Sequence, residues 1–66
     1  MQCIINDEKY TFDEELPVSK LLEHMNIDSE RIVVEHNGEL LRKKSFDHHL
    51  VRSDDRLELL EFVGGG

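Results

Sequence analysis

Only one stretch of this sequence repeats its apolar residues at a helical period. Val18, Leu21, Leu22 and Met25 are spaced three, one and three apart and make one stripe, with Lys20, Glu23 and His24 turned away from it. Elsewhere the apolar residues alternate or gather in short β-branched groups. A chain with one amphipathic helix and several short strands has few ways to build a core. The helix must lie across one face of a sheet to which the strands contribute. With 66 residues the chain makes one domain. A domain of this size buries only about 60% of the surface its unfolded chain exposes. That favours a module working by contact over a deep catalytic cleft.

The strands follow from alternation and turn chemistry. In Met1–Ile5, the side chains of Met1, Cys3 and Ile5 point one way and those of Gln2 and Ile4 the other. Asn6-Asp7-Glu8 is a turn, and Lys9–Asp13 returns with Tyr10 and Phe12 on one face, so the chain opens on a hairpin. Pro17 suits a first helical turn, where its missing N–H costs nothing, and Asn26 suits the stop. Ile27 is expected to tuck under the sheet. Arg31–His36 is a third strand, Asn37-Gly38 a hairpin turn and Glu39–Arg42 a short fourth strand. Residues 43–53 form a polar connection, with Phe46, Leu50 and Val51 as anchors into the core. Asp54-Asp55 is a turn, and Arg56–Val63 is the last strand. The helical connection leaves room for parallel pairing of the first strand with the last. The layout is α+β, a β-grasp (ubiquitin-like) domain over residues 1–63 with a mixed sheet of four to five strands and one helix on one face. A flexible glycine tail follows at 64–66.

Fifteen acidic residues against eight basic ones leave a formal charge of −7. Nucleic-acid binding needs a basic patch to neutralise phosphates and is not expected. A basic partner surface suits this charge, as does plain solubility. The single cysteine, Cys3, excludes an intrachain disulfide and fits a reducing compartment. The apolar residues 3–5 are too few for a secretory signal or a membrane span. A cytoplasmic protein, monomeric when free, is the expectation.

The last residues are the candidate site. If Leu57 and Leu59 face the helix, Leu60 and Phe62 lie on the open face of the sheet, and Ile4 on a neighbouring strand points the same way. Three apolar side chains on an uncovered face suggest a partner-binding patch. Gly64-Gly65-Gly66 would reach roughly 10 Å beyond the sheet at about 3.3–3.6 Å per residue. A backbone without Cβ atoms can thread a narrow channel. Its terminal carboxylate is a poor electrophile until it is activated, for example as an acyl-adenylate.

These features together resemble one family, the small sulfur carrier of thiamin biosynthesis of the ThiS type, over essentially the whole chain. The resemblance rests on the hairpin with Asn6, the Val18…Leu21-Leu22 helix, Val34-Glu35-His36-Asn37-Gly38-Glu39, and Asp55-Arg56-Leu57-Glu58…Phe62-Val63-Gly64-Gly65-Gly66. It implies that Gly66 is adenylated by an E1-like adenylyltransferase using ATP and Mg²⁺, with no cofactor bound to the chain itself. It implies that sulfur from a cysteine desulfurase or related donor then makes a thiocarboxylate on Gly66, which supplies thiazole synthase. Gly64 and Gly65 would thread the partner's channel, and the chain would be a carrier rather than an enzyme. Two positions depart from the family's pattern. Asp54 stands where the turn usually has glycine, and Pro17 stands near a usual threonine cap, a loss of about 1 kcal/mol.

Two other readings compete with this one. The small subunit of molybdopterin synthase shares the fold and a Gly-Gly end, and a ubiquitin-like binding module would use the open face without activating its terminus. Cys3, on the core-facing side of the first strand, reads as a small hydrophobe rather than a persulfide carrier. His48-His49 lacks ligands at helical spacing, so no metal site is expected. His24 and His36 read as exposed or half-exposed polar positions, and Asn37-Gly38 as a turn alone.

Overall fold

The computed structural model describes residues 1–62. Its strands are β1 (Gln2–Ile5), β2 (Glu8–Thr11), β3 (Leu16–Pro17), β4 (Ile32–His36), β5 (Glu39–Leu41), β6 (Leu50–Val51) and β7 (Arg56–Glu61). One α-helix, α1 (Val18–His24), follows β3, and short 3-10 turns cover Ser29–Arg31 and Lys43–Ser45. Five strands form a mixed sheet in the order β2-β1-β7-β4-β5. β1 and β7 pair in parallel, with Ile4 beside Arg56 and Ile5 beside Leu57. The other neighbours are antiparallel. The fold is the expected α+β β-grasp.

Both hairpins turn on two residues with positive φ, Asn6 (49°) and Asp7 (67°) in one and Asn37 (50°) and Gly38 (87°) in the other. That is the type I′ geometry whose twist matches the flanking strands. Asp54 also stands at positive φ (70°), so the turn before β7 keeps its left-handed residue without glycine.

The helix buries Val18, Leu21 and Leu22 against Ile5, Val34 and Leu57 of the sheet, all in one core cluster with Cys3, Phe46 and Val51. Met25 and Ile27 pack partly buried against that cluster. Asn26 (φ 58°) ends the helix. The N–H of Ile27 reaches the carbonyl of Leu22 at 2.9 Å and that of Asn26 reaches Glu23 at 3.0 Å, the double bond pattern of a left-handed helix stop.

Several expectations need correction. Pro17 is not in the first helical turn. It precedes it, with φ −68° and ψ 155°, as the second residue of β3. β3 and β6 form a two-stranded antiparallel sheet that periodicity does not reveal, because two residues are too few to show a period. Pro17 makes no side-chain cap. The carbonyls of His49 and Phe46 instead accept from the N–H groups of Val18 (2.9 Å) and Ser19 (3.1 Å). The connection thus satisfies the helix start that a threonine would otherwise serve. Phe46 and Val51 anchor this connection, but Leu50 points outward, 42% exposed. Alternation along β6 turns only one of Leu50 and Val51 inward. Arg31 closes a 3-10 turn instead of starting β4, β2 ends at Thr11, and β5 ends at Leu41.

Candidate functional site

β7 is the central strand, yet only its first half is flanked on both sides. β1 pairs with it up to Leu57 and then turns away at Asn6. Past that point the Asn6 side chain takes over the pairing. Its Oδ1 accepts from Leu59 N–H at 2.8 Å and its Nδ2 donates to the Leu59 carbonyl at 3.1 Å. A side-chain amide has the donor and acceptor of a peptide group, so Asn6 lengthens the β1 edge by one step. Asn37 supports the other end with one bond to the β7 backbone and one to the side-chain carboxylate just before it. Its Oδ1 accepts from Arg56 N–H at 2.8 Å, and its Nδ2 donates to Asp55 at 3.1 Å. Asn37 is therefore more than a turn former. From sequence, each asparagine signalled a turn, and nothing in the spacing pointed to β7.

Leu57 and Leu59 face the core, as alternation requires. Leu60 (67% exposed) and Phe62 lie exposed at the end of β7. Val33 of β4 pairs directly with Leu60 and is exposed as well. Phe62 follows, its N–H bonded to the Arg31 carbonyl at 3.0 Å. Alternation within Ile32–His36 puts Val33 opposite the buried Ile32 and Val34, a signal for its exposure already present in the sequence. Leu40 of β5 (66% exposed) faces out beside Glu35.

Ile4 does not join this patch. It faces the same side, half-buried, but its neighbours are Lys9 on β2 and Arg56 on β7. Leu60 is four residues further along β7, roughly 13 Å at the rise of a strand, and Glu58, paired with Glu35, lies between. The parallel register decides this, because β1 meets the start of β7 and not its end. The apolar surface is Leu60, Phe62 and Val33, with Ile4 at the far end of the strand. The remaining candidates, Gly64, Gly65 and Gly66, lie outside the described residues, together with Val63.

Cys3 is fully buried. Burial pushes its thiol above the usual range and the nearby charge of Asp55 adds to this, outweighing the opposite pull of the amino terminus. A thiol held protonated out of solvent is a poor nucleophile. Among the described residues no group of three or more His, Cys, Asp or Glu side chains could hold a metal ion. No helix among them is long and apolar enough to cross a membrane.

His36 is half-buried, within the expected range, but it has two side-chain partners that the sequence did not indicate. Its Nε2 lies 2.7 Å from Asp55 Oδ2, with the two side chains 12% and 16% exposed. Its Nδ1 lies 2.7 Å from Nε2 of His49. Burial alone would raise the Asp55 carboxyl. Hydrogen bonds from His36, Arg52 N–H and Asn37 outweigh that and hold it below the usual carboxylate range. Residues 36, 49 and 55 come from separate elements, and no local pattern links them.

Comparison with known proteins bears on the end of β7. The ThiS family model matches residues 1–66. The crystal structure of the thiamine biosynthesis protein ThiS from Geobacter metallireducens is similar with a TM-score of 0.86 and 38% identity, covering 100% of both chains. A thiazole synthase of Paramagnetospirillum magneticum is 36% identical over 66 residues, and the chain spans 20% of its length. The uncharacterized protein ycf40 of Porphyra purpurea is 36% identical over 62 residues, 94% of this chain and 87% of that protein. A β-grasp core, an apolar strand end running into three glycines, and a family match over every residue lead to one assignment: this chain belongs to the ThiS family, the small sulfur carriers of thiamin biosynthesis.

Proposed function

We propose that this chain carries sulfur on the carboxyl group of Gly66 and delivers it to a thiazole synthase. The observation that carries the reading is the end of β7. There core-anchored β7 carries Leu60 onto an open face beside Val33 of β4, and Phe62 follows two residues before the first glycine. An apolar surface beside a side-chain-free terminus suits a partner that grips the domain and draws the terminus into its own active site.

The chemistry divides between carrier and partners. A carboxylate oxygen of Gly66 attacks the α-phosphate of ATP on an E1-like adenylyltransferase, releasing pyrophosphate and giving an acyl-adenylate. Mg²⁺ on that enzyme neutralises the phosphates. Sulfide then attacks the carbonyl and expels AMP, leaving the thiocarboxylate. A persulfide from a cysteine desulfurase does the same in two steps, forming an acyl disulfide that a thiol then cleaves. The carrier supplies no acid or base to either step and acts as substrate, not enzyme, in the cytoplasm. Thiazole synthase is the favoured recipient because a protein of that name contains a stretch 36% identical to this whole chain. The absence of Cβ atoms at Gly64 and Gly65 lets the terminus pass a channel too narrow for other residues.

Intact mass after incubation with ATP, Mg²⁺, the adenylyltransferase and a sulfide source tests the reading. The wild-type chain should gain the mass difference between sulfur and oxygen. A chain with one residue added after Gly66 should bind the adenylyltransferase and gain nothing. A wild-type mass that stays unchanged would leave a binding module, and transfer from the loaded form to a molybdopterin synthase in preference to thiazole synthase would redirect the pathway.

A further inference from the structure

One cluster of titratable side chains takes no part in sulfur transfer. It lies at the end of the sheet away from Phe62, where β4 ends, the 52–55 turn enters β7 and the connection before β6 passes over. Asp55 Oδ2 contacts His36 Nε2 at 2.7 Å and accepts from Arg52 N–H at 2.8 Å, while its Oδ1 accepts from Asn37 at 3.1 Å. His36 Nδ1 meets His49 Nε2 at 2.7 Å, with the rings edge to face at 4.6 Å.

This geometry assigns the protons. A carboxylate surrounded by donors is ionised at neutral pH, so His36 must carry hydrogen on Nε2 to bond with it. A neutral His36 then has a bare Nδ1, and the second bond is donated by Nε2–H of His49. His49 also acts through its backbone. Its carbonyl accepts from Val18 N–H, beside the bond from Ser19 N–H to Phe46. The side chain of His49 therefore ties the connection to the sheet, and its main chain ties it to the start of α1.

We propose that Asp55, His36 and His49 form a proton-operated latch that holds residues 47–49, between the buried Phe46 and β6, over the start of α1 and releases them when both imidazoles are protonated. One added proton is tolerated. On Nδ1 of His49 it leaves Nε2–H donating to His36. A second must go to Nδ1 of His36, which sets N–H against N–H between two cationic rings. The surrounding charges are mixed. Asp55 and Glu39, which pairs with His36 from β5, favour protonation. Arg52, Arg56 and the neighbouring His48 oppose it, with Arg56 bonded to Asp7 at 2.8 Å and Arg52 lying 4.0 Å from Glu15. Histidine is the side chain whose ordinary charge change falls between about pH 5 and 8, which sets the range for the test.

Amide hydrogen exchange tests the latch in the full chain. Between about pH 7.5 and pH 4.5, protection at Val18, whose N–H bonds to the His49 carbonyl, taken relative to Val34 in the core, should fall roughly tenfold or more. In His49→Gln the fall should vanish. The glutamine amide donates to a neutral His36 and, turned over, accepts from a protonated one. A flat ratio in the wild type, or the same fall in His49→Gln, overturns the latch. A second readout needs no variant. Long-range ¹H–¹⁵N spectra at neutral pH should show His36 protonated on Nε2, and an Nδ1–H form of His36 would overturn it equally.

Discussion

Replacing Asn6 tests the account of β7 most directly. Its side chain makes two hydrogen bonds to Leu59, at 2.8 and 3.1 Å, and its backbone sits at φ 49°. A net intramolecular hydrogen bond contributes about 0.5–1.5 kcal/mol. Asn6 is exposed, so water can replace part of what is lost, and about 1 kcal/mol per bond is the reasonable value. Asn6→Ala also forces a Cβ into the left-handed region without a compensating local bond, a further cost of about 1 kcal/mol. The sum is about 3 kcal/mol for alanine. Asn6→Gly keeps the backbone comfortable and loses only the bonds, about 2 kcal/mol. Urea denaturation should therefore rank wild type above Asn6→Gly above Asn6→Ala. Exchange at the Leu59 amide should quicken in both variants more than at Val34. If Asn6→Gly matches the wild type in both assays, the side-chain pairing contributes nothing and the turn conformation alone explains Asn6.

Three further outcomes follow from the packing and the charges. Leu60→Asp, on the exposed patch, should change stability by no more than about 0.5 kcal/mol while weakening the adenylyltransferase complex at least tenfold, a loss of about 1.4 kcal/mol. Ile4→Asp should weaken that complex less, as titration calorimetry of both variants will show. Leu57→Ala, in the fully buried core, should cost about 2–5 kcal/mol, and Leu50→Ala on the surface less than about 1 kcal/mol. Equal losses would return Leu50 to the core. Asp55 has a depressed carboxyl in the folded state, so its stabilisation is present above its unfolded value of about 4 and is lost as pH falls through the folded value. Asp55→Asn should thus be less stable than wild type at neutral pH, and urea melts should show the gap closing below about pH 4.

Much of the architecture was legible because it depends on local regularities. The one helical stripe, the Asn37-Gly38 turn and the alternation of Leu57 and Leu59 each follow from a side-chain period or a backbone preference carried by a few neighbouring residues. The β3–β6 pair was not legible, since two-residue strands carry no period. The place of Ile4 was only half legible. Alternation assigns its face correctly, but its neighbours depend on how far along β7 the first strand begins to pair.

The sequence by itself determined the kind of scaffold, its faces and its family, because each rests on short-range periodicity or on residues read in order. Only the tertiary structure decided what the polar residues do. Asn6 and Asn37 complete the edges of β7, His49 and Phe46 serve the helix that Pro17 leaves uncapped, and His36 meets Asp55 and His49 across separate elements. A hydrogen bond needs donor and acceptor within about 3 Å. For partners 13 to 53 residues apart in the chain, that distance is set by the register of strands and not by spacing along the sequence.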